Sequence, residues 1–335
     1  MLKRNLLPIL LLATVGLLIS TAIVGIGISV ATPLTLGTAL LFGALISATD
    51  PVAVIALFKE LGVPKRLSTL VDGESLFNDA TAIVMFHILL GIIGAGTAFS
   101  ASVAINGIGQ FLLVFFGGLL VGAILGAAVL WIIARGHKDH MVQAVLTSVL
   151  AYLAFIFAEH FFNVSGVMAV VAAGILSSWV GKRVFDDSMR KYLTEFWEQL
   201  AFIANSMIFL LMGLTEYHLF ADLRRYHDTI GYILIGFLLT IVARLVVVYG
   251  LTPLSNRLAP HARVERADKA VIFWGGLRGA IPLALALGLP ADFEHRVMII
   301  DLTLGVVLMS LLIQGTSISW LLRRLGVIEA PGAQK

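Results

Sequence analysis

The stretch LISATDPVAVIALF, residues 45–58, interrupts an apolar run with a Thr-Asp-Pro triplet near its middle. Proline removes a backbone hydrogen-bond donor, and its ring disfavours helical geometry at the preceding residue. Thr49 and Asp50 are expected to bond the backbone groups that Pro51 leaves free. The stretch therefore predicts a helix that is broken at mid-span, with a carboxylate at the break. The alternative is a simple proline kink that Thr49 satisfies.

The composition places this stretch in a membrane protein. The 335 residues are 59% hydrophobic and 13% charged, and none is cysteine. Soluble domains are usually about 45–50% apolar and about 25% charged. Without cysteine, disulfides and thiolate metal sites are excluded. The net charge of +3 is read as membrane topology, so no nucleic-acid partner is expected. Because no Walker A, GxSxG or HExxH motif occurs, the chain is not predicted to be an enzyme.

About ten segments are apolar enough to span a bilayer, since a spanning helix needs roughly 20 apolar residues. They are 6–30, 34–58, 69–94, 104–134, 141–161, 164–181, 197–217, 229–250, 268–289 and 296–322. In the fourth segment, the glycines of residues 117–128 have the spacing that favours close helix packing. The charged stretch near 184–196 carries apolar residues at helical spacing, which predicts an interfacial helix. The predicted fold class is an all-α polytopic membrane protein.

The distribution of Lys and Arg residues over the loops gives an independent check on the number of spans. If successive loops alternate between the two sides, about 18 Lys and Arg residues share the side of both termini and about 3 lie opposite. Lys and Arg concentrate in cytoplasmic loops, so both termini are predicted to be cytoplasmic, in a multi-pass protein of the inner membrane. Arg244 and Arg278 remain, and both fall inside predicted spans.

A second polar stretch, GESLFNDATAI at residues 73–83, opens the third span. An ionisable residue near the bilayer centre costs at least about 2.5–3.5 kcal/mol, which makes such residues functional candidates. Ser75 and Asp79 are four residues apart and share one helix face, while Glu74 and Asn78 share the adjacent face. We expect Asp79 to face a pocket that holds water or an ion.

A glutamate at this depth needs a basic partner. For Glu74 the expected partner is Arg278, with Arg244 as the alternative. The pair is open to a purely structural reading, in which it fixes the two helices that carry the pocket. His87, two turns after Asp79, is interpreted as a packed histidine in preference to a proton relay.

The ninth span contains WGGLRGAIP, residues 274–282, and is again interrupted by glycine and proline. Gly279 and Pro282 are therefore expected at a helix break, as Pro51 is in the second span. Interrupted helices at corresponding positions from the two chain ends indicate inverted repeats around a central site. The predicted organisation is a core domain of two repeats at 1–95 and 229–324, scaffold helices at 104–217, and a short cytoplasmic tail at 325–335.

Three elements together resemble the NhaP-type sodium/proton antiporters of the monovalent cation:proton antiporter superfamily. They are SATDPVAV, then VDGESLFNDATAIV about twenty residues later, and finally WGGLRGAIPLALAL. The ARLVVVY stretch around Arg244 is also similar to the family pattern. The resemblance implies inverted repeats with two broken helices that cross at mid-membrane, and a homodimer whose core domain moves against a scaffold.

The resemblance also implies roles for individual residues. It makes Asp79 the carboxylate that carries both the cation and the proton, and an Asn-Asp pair with Asn78 goes with electroneutral one-for-one exchange. The transported Na⁺ is expected at Asp79, Ser75 and Thr49, and no cofactor is expected besides the transported Na⁺ and H⁺. The remaining implied site residues are Asp50 at the crossing, the Glu74–Arg278 ion pair and, as a secondary candidate, Arg244.

The predicted function is secondary active antiport of a monovalent cation, Na⁺ first, against H⁺ by alternating access. Proton and cation compete for one carboxylate, because ligation of a hard cation needs the deprotonated form. Family members carry about three further helices before the first span seen here, so part of the scaffold is expected to be missing. The alternatives are a K⁺/H⁺ antiporter of the same fold, a passive channel, and a truncated, non-transporting membrane fragment.

Overall fold

The computed structural model describes residues 2–96, 101–136, 139–215 and 226–328, and within these ranges the chain is helical with no strand. The predicted all-α fold class is confirmed. Four basic residues of the charge tally lie outside the described residues, namely Lys138, Arg224, Arg225 and Lys335. The end of the predicted tail, residues 329–335, lies outside them as well.

Fourteen α-helices occur in the described part of the chain. They are α1 (Leu2–Leu10), α2 (Gly16–Ala31), α3 (Leu36–Ser47), α4 (Val52–Leu61), α5 (Lys65–Gly94), α6 (Ala101–Arg135), α7 (His140–Ile156), α8 (Gly166–Val184), α9 (Asp187–Thr215), α10 (Tyr226–Leu258), α11 (Arg266–Trp274), α12 (Ala280–Leu287), α13 (Arg296–Met309) and α14 (Thr316–Arg324). Single π-helical turns at Leu11–Val15 and Ser310–Gly315 join α1 to α2 and α13 to α14. A third π-helical turn, Phe157–Phe161, extends α7, and a 3₁₀ turn at Pro260–Ala262 precedes α11.

Six helices in the described residues are long and apolar enough to cross a membrane. They are Arg4–Ala31, Lys65–Gly94, Ile105–Arg135, His140–Phe161, Thr229–Leu258 and Arg296–Arg324. Two shorter apolar helices, Leu36–Ser47 and Gly166–Gly181, fall within the second and sixth predicted spans. The second and ninth predicted spans are each split into two short helices, α3 with α4 and α11 with α12. The breaks fall where proline and glycine interrupt the apolar runs.

The predicted interfacial helix near 184–196 is wrong as a separate element. The helix α9 begins at Asp187 and continues without interruption to Thr215, so the charged stretch forms its first turns. The Asp186 carboxylate accepts a hydrogen bond from the Met189 amide at 2.7 Å, which caps this helix start. Phe185 and Met189 are buried in a cluster with apolar residues of α6 and α7. Their helical spacing reflects packing against protein, which produces the same pattern as an interfacial helix.

The described residues form two compact units. One comprises those of Met1–Thr97 and Ile208–Lys335, and the other those of Ala98–Met207. The first unit contains both broken helices and the polar stretch at residues 73–83. In that unit, α5 and α12 both contact α3, and α4 and α11 both contact α5. The two breaks and the polar stretch are therefore neighbours.

In the second unit, α6 and α8 pack closely through the predicted glycines. A Cβ added to Gly122 would overlap the backbone oxygen of Ala169, and one added to Gly118 would overlap that of Ser165. The prediction of close packing by residues 117–128 is confirmed. Such approaches matter in lipid, because there van der Waals contact and not exclusion from water holds helices together.

Large apolar side chains are exposed along one face of α6. The exposed fractions are 69% for Ile105, 65% for Leu113, 63% for Leu120 and 60% for Ile124. Soluble monomers rarely expose contiguous apolar patches of more than a few hundred square ångströms. This face is suited to contact with lipid chains.

Candidate functional site

The first break lies between α3 and α4, where the Thr-Asp-Pro triplet predicts it. The helix α3 ends at Ser47, and α4 begins directly after Pro51. At this position the missing N–H of proline removes no helical hydrogen bond. Thr49 is buried, whereas Asp50 is half-buried. The break therefore presents a hydroxyl and a carboxylate between two short helices.

The second break covers residues 275–279, between α11 and α12. Gly279 directly precedes α12 and lies against Asp50, where an added Cβ would overlap the carboxylate. Pro282 is the third residue of α12, in a first turn whose backbone N–H groups lack helical partners in any case. Gly279 thus lies at the break, whereas Pro282 belongs to the helix that follows it.

The two breaks cross at Asp50. The backbone N–H of Asp50 donates to the carbonyl of Leu277 at 2.8 Å. The carboxylate accepts from the Val52 amide through Oδ1 at 2.9 Å and from the Ala280 amide through Oδ2 at 3.4 Å. Val52 and Ala280 are the first residues of α4 and α12. Asp50 therefore lies at two helix N-termini, where the helix dipoles stabilise a negative charge.

Arg278 lies at a helix C-terminus, whereas Asp50 lies at helix N-termini. Its Nη1 donates to the carbonyl of Ser47 at 2.8 Å and to that of Ala48 at 3.1 Å. These carbonyls terminate α3, where the helix dipole stabilises a positive charge. The first break thus supplies Asp50, which stabilises the N-terminus of α12. The second break supplies Arg278, which stabilises the C-terminus of α3.

Glu74 pairs with Arg244 of α10, so the predicted Glu74–Arg278 ion pair is wrong. Arg244 Nη1 and Nη2 donate to the two oxygens of the Glu74 carboxylate, each at 2.7 Å. Both side chains are buried, with 6% of Arg244 and 2% of Glu74 exposed. Arg244 also donates to the carbonyl of Ile272 at 3.0 Å. The fork of a guanidinium matches the two oxygens of a carboxylate, and Arg278 is engaged by the carbonyls of α3.

Asn78 bonds to the same glutamate. Its Nδ2 donates to Glu74 Oε1 at 3.1 Å, which confirms that the two residues share a helix face. The Asn78 Oδ1 is buried and accepts no hydrogen bond within the described residues. The side-chain nitrogen of Asn78 is thus bound to Glu74, while its side-chain oxygen has no donor among the described residues.

Thr49 and Ser75 meet across the first break and α5. Their hydroxyl oxygens are 3.0 Å apart, and each residue is 2% exposed. One hydroxyl donates to the other, and lone pairs remain on both oxygens. Two of the three predicted Na⁺ ligands are therefore in contact with each other.

Asp79 differs from the other acids of the site. Its Oδ1 is buried and accepts no hydrogen bond from the described part of the chain, while the side chain as a whole is half-buried. The charges close enough to act on it are those of Asp50, Glu74 and Arg278. Asp50 is held by helix N-termini and Glu74 by Arg244, so Asp79 is the one of these three acids with a buried oxygen that receives no hydrogen bond from the described residues.

One face of α5 is open along its length. We call it the α5 stripe and define it by Asp72, Leu76, Asp79, Ile83 and His87, whose side chains are exposed or half-buried. Residues at this spacing follow one another along a helix face. The His87 side chain is exposed, and its ring contacts that of Phe86 edge to face at 5.5 Å, so the choice between a packed histidine and a proton relay stays a prediction.

Two polar residues of the tenth span form hydrogen bonds with the second break and were not predicted from the sequence. The Ser310 hydroxyl accepts a hydrogen bond from the Arg278 amide at 2.9 Å. The Gln314 side-chain amide donates to the Trp274 carbonyl at 3.3 Å. Both satisfy backbone groups that the break frees. The sequence feature that indicates them is the presence of a Ser and a Gln within the apolar run VVLMSLLIQG, residues 306–315.

The candidate cation ligands are all oxygen atoms. They include the hydroxyls of Thr49 and Ser75, the free amide oxygen of Asn78 and the carboxylate of Asp79. No group of three or more His, Cys, Asp or Glu side chains that would hold a metal occurs within the residues described. Hard oxygen ligands suit alkali cations better than transition metals.

Known proteins resemble this chain over nearly its whole length. Residues 1–324 match the family model described as sodium/hydrogen exchanger, transmembrane. The chain is 38% identical over 328 residues to the Na⁺/H⁺ antiporter ApNhaP of Aphanothece halophytica, which covers 98% of this chain and 61% of the relative. It is 39% identical over 331 residues to the low-affinity Na⁺/H⁺ antiporter NhaS1 of Synechocystis sp., with the same coverage of 98% and 61%. The chain thus spans about 61% of the length of these two relatives.

The fold also matches a solved structure. The sodium proton antiporter MjNhaP1 of Methanocaldococcus jannaschii aligns with a TM-score of 0.76, over 97% of this chain and 80% of that chain. The sequence identity is 23%, so the likeness concerns the fold. The predicted antiporter fold is confirmed.

Proposed function

Because the chain belongs to the sodium/hydrogen exchanger family, we propose that it is a secondary active antiporter that exchanges Na⁺ for H⁺. It is a multi-pass membrane protein of a family of exchangers and not of enzymes. Relatives named as Na⁺/H⁺ antiporters support Na⁺ as the cation. The oxygen-only set of candidate ligands is compatible with that choice.

The observation that carries this proposal is the contrast between Asp79 and its acidic neighbours. Glu74 has both carboxylate oxygens bound by Arg244, and Asp50 receives N–H groups from two helix starts. The Asp79 Oδ1 is buried and receives no donor from the described residues. A buried carboxylate oxygen without a donor is costly unless it binds a proton or a cation.

Proton and cation compete for Asp79 in the proposed mechanism. A hard cation binds the deprotonated carboxylate, so Na⁺ uptake releases a proton and proton uptake releases Na⁺. The hydroxyls of Thr49 and Ser75 and the free Asn78 oxygen would add neutral ligands. Because these ligands are neutral, Asp79 is the only ligand whose charge is neutralised when Na⁺ or a proton binds.

The net charge of the site supports one-for-one, electroneutral exchange. Asp50, Glu74 and Asp79 carry three negative charges, and Arg244 and Arg278 carry two positive ones, which leaves one negative charge. One Na⁺ or one H⁺ neutralises it, so the two loaded states have the same charge. An uncompensated charge is expensive within the bilayer, and the loaded states are therefore the ones that cross between the two access states.

We extend the proposal to location and assembly. The distribution of Lys and Arg supports two cytoplasmic termini in an inner membrane. The unit with both broken helices is proposed as the transport core, and the unit of residues 98–207 as the scaffold of a homodimer. The mechanism needs no cofactor besides the transported ions, because the site residues supply the ligands themselves.

Flux through proteoliposomes tests the function and the role of Asp79 together. With an imposed pH gradient and a trapped pH dye, added Na⁺ is expected to dissipate the gradient in liposomes that contain the wild-type chain. Asp79→Asn is expected to abolish this response. Asp292→Asn makes the same chemical change at an exposed loop position and should behave as wild type. Na⁺-dependent flux retained by Asp79→Asn would refute the role of Asp79, whereas a wild type without flux would refute the function.

The same liposomes separate the alternatives. Gradients of Na⁺, Li⁺ and K⁺ at equal ionic strength identify the preferred cation. If the KM for K⁺ is lower than that for Na⁺, the chain is a K⁺/H⁺ antiporter. A passive channel would carry Na⁺ without moving protons. A non-transporting fragment would move neither ion, although it remains folded in detergent. Electroneutral exchange is expected to be insensitive to a membrane potential imposed with valinomycin and K⁺.

A further inference from the structure

One acidic residue of α5 takes no part in the site described above. Asp72 is exposed and precedes Asp79 by seven residues on the α5 stripe, which places it about 10 Å away along the helix axis. Leu76 lies between them and is 42% exposed. The stripe is therefore open from Asp72 to Asp79, whereas Glu74, Ser75 and Asn78 on the neighbouring faces are buried.

The position of Asp72 is an unusual one for a carboxylate. It lies seven residues after the start of α5 at Lys65, within a helix that is long and apolar enough to span a membrane. An acidic residue inside such a helix is costly unless it is used. The basic group that acts on its charge is Lys59, in the last turn of α4. Lys59 is exposed, and ion pairs between exposed groups contribute little to stability.

The geometry distinguishes Asp72 from the structural charges of the unit. Glu74 is buried and held by two hydrogen bonds from Arg244. Asp72 is exposed and shares its face of α5 with the carboxylate that we propose to bind the cation. A negative charge beside a binding site raises the local concentration of cations there.

We propose that Asp72 is the entry carboxylate for the transported cation at the Lys65 end of the α5 stripe. It concentrates Na⁺ beside the path to Asp79 and so sets the apparent affinity from that side of the membrane, while the positive charge of Lys59 opposes it. This inference rests on the proposed function. Asp72 acts on the cation before it binds, so its removal changes KM and leaves the maximal rate.

Vesicles of the two orientations supply the test. Everted vesicles and right-side-out vesicles expose opposite ends of the stripe to the added Na⁺. In the orientation that exposes the Lys65 end, Asp72→Asn is expected to raise the KM for Na⁺ about two- to fivefold at low ionic strength. In the other orientation its KM should equal that of the wild type. The maximal rate is expected to stay near the wild-type value in both.

Three variants control for structure and for general surface charge. Asp72→Glu keeps the charge and should restore the wild-type KM. Lys59→Gln removes the opposing charge and should lower KM. Glu60→Gln makes the same charge change as Asp72→Asn at an exposed residue of α4 that lies off the stripe, and should leave KM within about 1.5-fold of the wild type.

Ionic strength supplies a readout that a purely structural role would not move. The Debye length falls from about 30 Å at 0.01 M to about 8 Å at 0.15 M, so choline chloride should progressively remove the difference between Asp72→Asn and wild type. An unchanged KM, an equal effect in both orientations, an equal effect of Glu60→Gln, or a loss of maximal rate at constant KM would overturn the inference. The proposed function survives those outcomes, because it is refuted by a wild type without Na⁺-dependent proton flux and not by the KM of a variant.

Discussion

Arg244 holds Glu74 in a bidentate ion pair, with both nitrogen–oxygen distances at 2.7 Å, and so ties α10 to α5. Asn78, one turn further along α5, donates to the same carboxylate. A Cβ added to Gly276 would lie 2.7 Å from Arg244 Nε, so the second break is shaped around this arginine. The pair therefore organises three elements of the first unit and leaves the neighbouring Asp79 outside its hydrogen bonds.

Removal of either partner of this pair is expected to destabilise the protein strongly. Glu74→Gln leaves a buried guanidinium without a counter-charge, and Arg244→Met leaves a buried carboxylate, at a cost of about 3–5 kcal/mol each. The double variant leaves neither charge and is expected to recover part of that loss. Thermal unfolding of the three variants in detergent measures the coupling. Strictly additive losses would show that the two side chains do not interact.

The contact between Gly279 and Asp50 predicts a steric effect at the crossing. Gly279→Ala introduces a Cβ that overlaps the Asp50 carboxylate and is expected to cost about 1–3 kcal/mol and to impair Na⁺-dependent flux. Gly250→Ala is the matched control, because nothing lies within 4 Å of its added Cβ in α10. The control should be neutral or stabilising by up to about 1 kcal/mol, as alanine has the higher helix propensity. Equal behaviour of the two variants would contradict a tight crossing.

Arg278 compensates the C-terminal end of α3, and its charge should matter more than its exact shape. Arg278→Gln removes the positive charge from the Ser47 and Ala48 carbonyls and is expected to cost up to about 2 kcal/mol. Arg278→Lys keeps the charge and should lose less. Thermal unfolding of both variants decides the point. A lysine variant as unstable as the glutamine variant would indicate that the guanidinium geometry, and not the charge, holds α3.

Local features of the site could be predicted from the sequence because they act through neighbouring residues. Proline at position 51 and the glycines around Gly279 determine where helices stop, and both breaks lie there. The shared face of Glu74 and Asn78 follows from helical periodicity alone. Such features depend on residues at most four positions apart along the chain, so they can be predicted without knowledge of tertiary packing.

The choice of partner for Glu74 could not be predicted in the same way. Arg244 and Arg278 are both basic residues inside spans, and the sequence offers no rule for which of them reaches α5. The outcome depends on the carbonyls at the end of α3, which engage Arg278 and leave Arg244 for the glutamate. The charged first turns of α9 show a related limit, because an apolar stripe is the same whether it meets a membrane surface or another helix.

Close packing in the second unit gives a prediction that is independent of the ion site. Gly122→Ala places a Cβ against the backbone oxygen of Ala169, which cannot move aside without shifting α8, so a loss of about 1–3 kcal/mol is expected. Gly174→Ala in α8 is the matched control, since its added Cβ meets nothing within 4 Å. Thermal unfolding in detergent compares the two variants. A Gly122→Ala variant as stable as Gly174→Ala would mean that α6 and α8 separate readily, and close backbone contact would then not be what holds these two helices together.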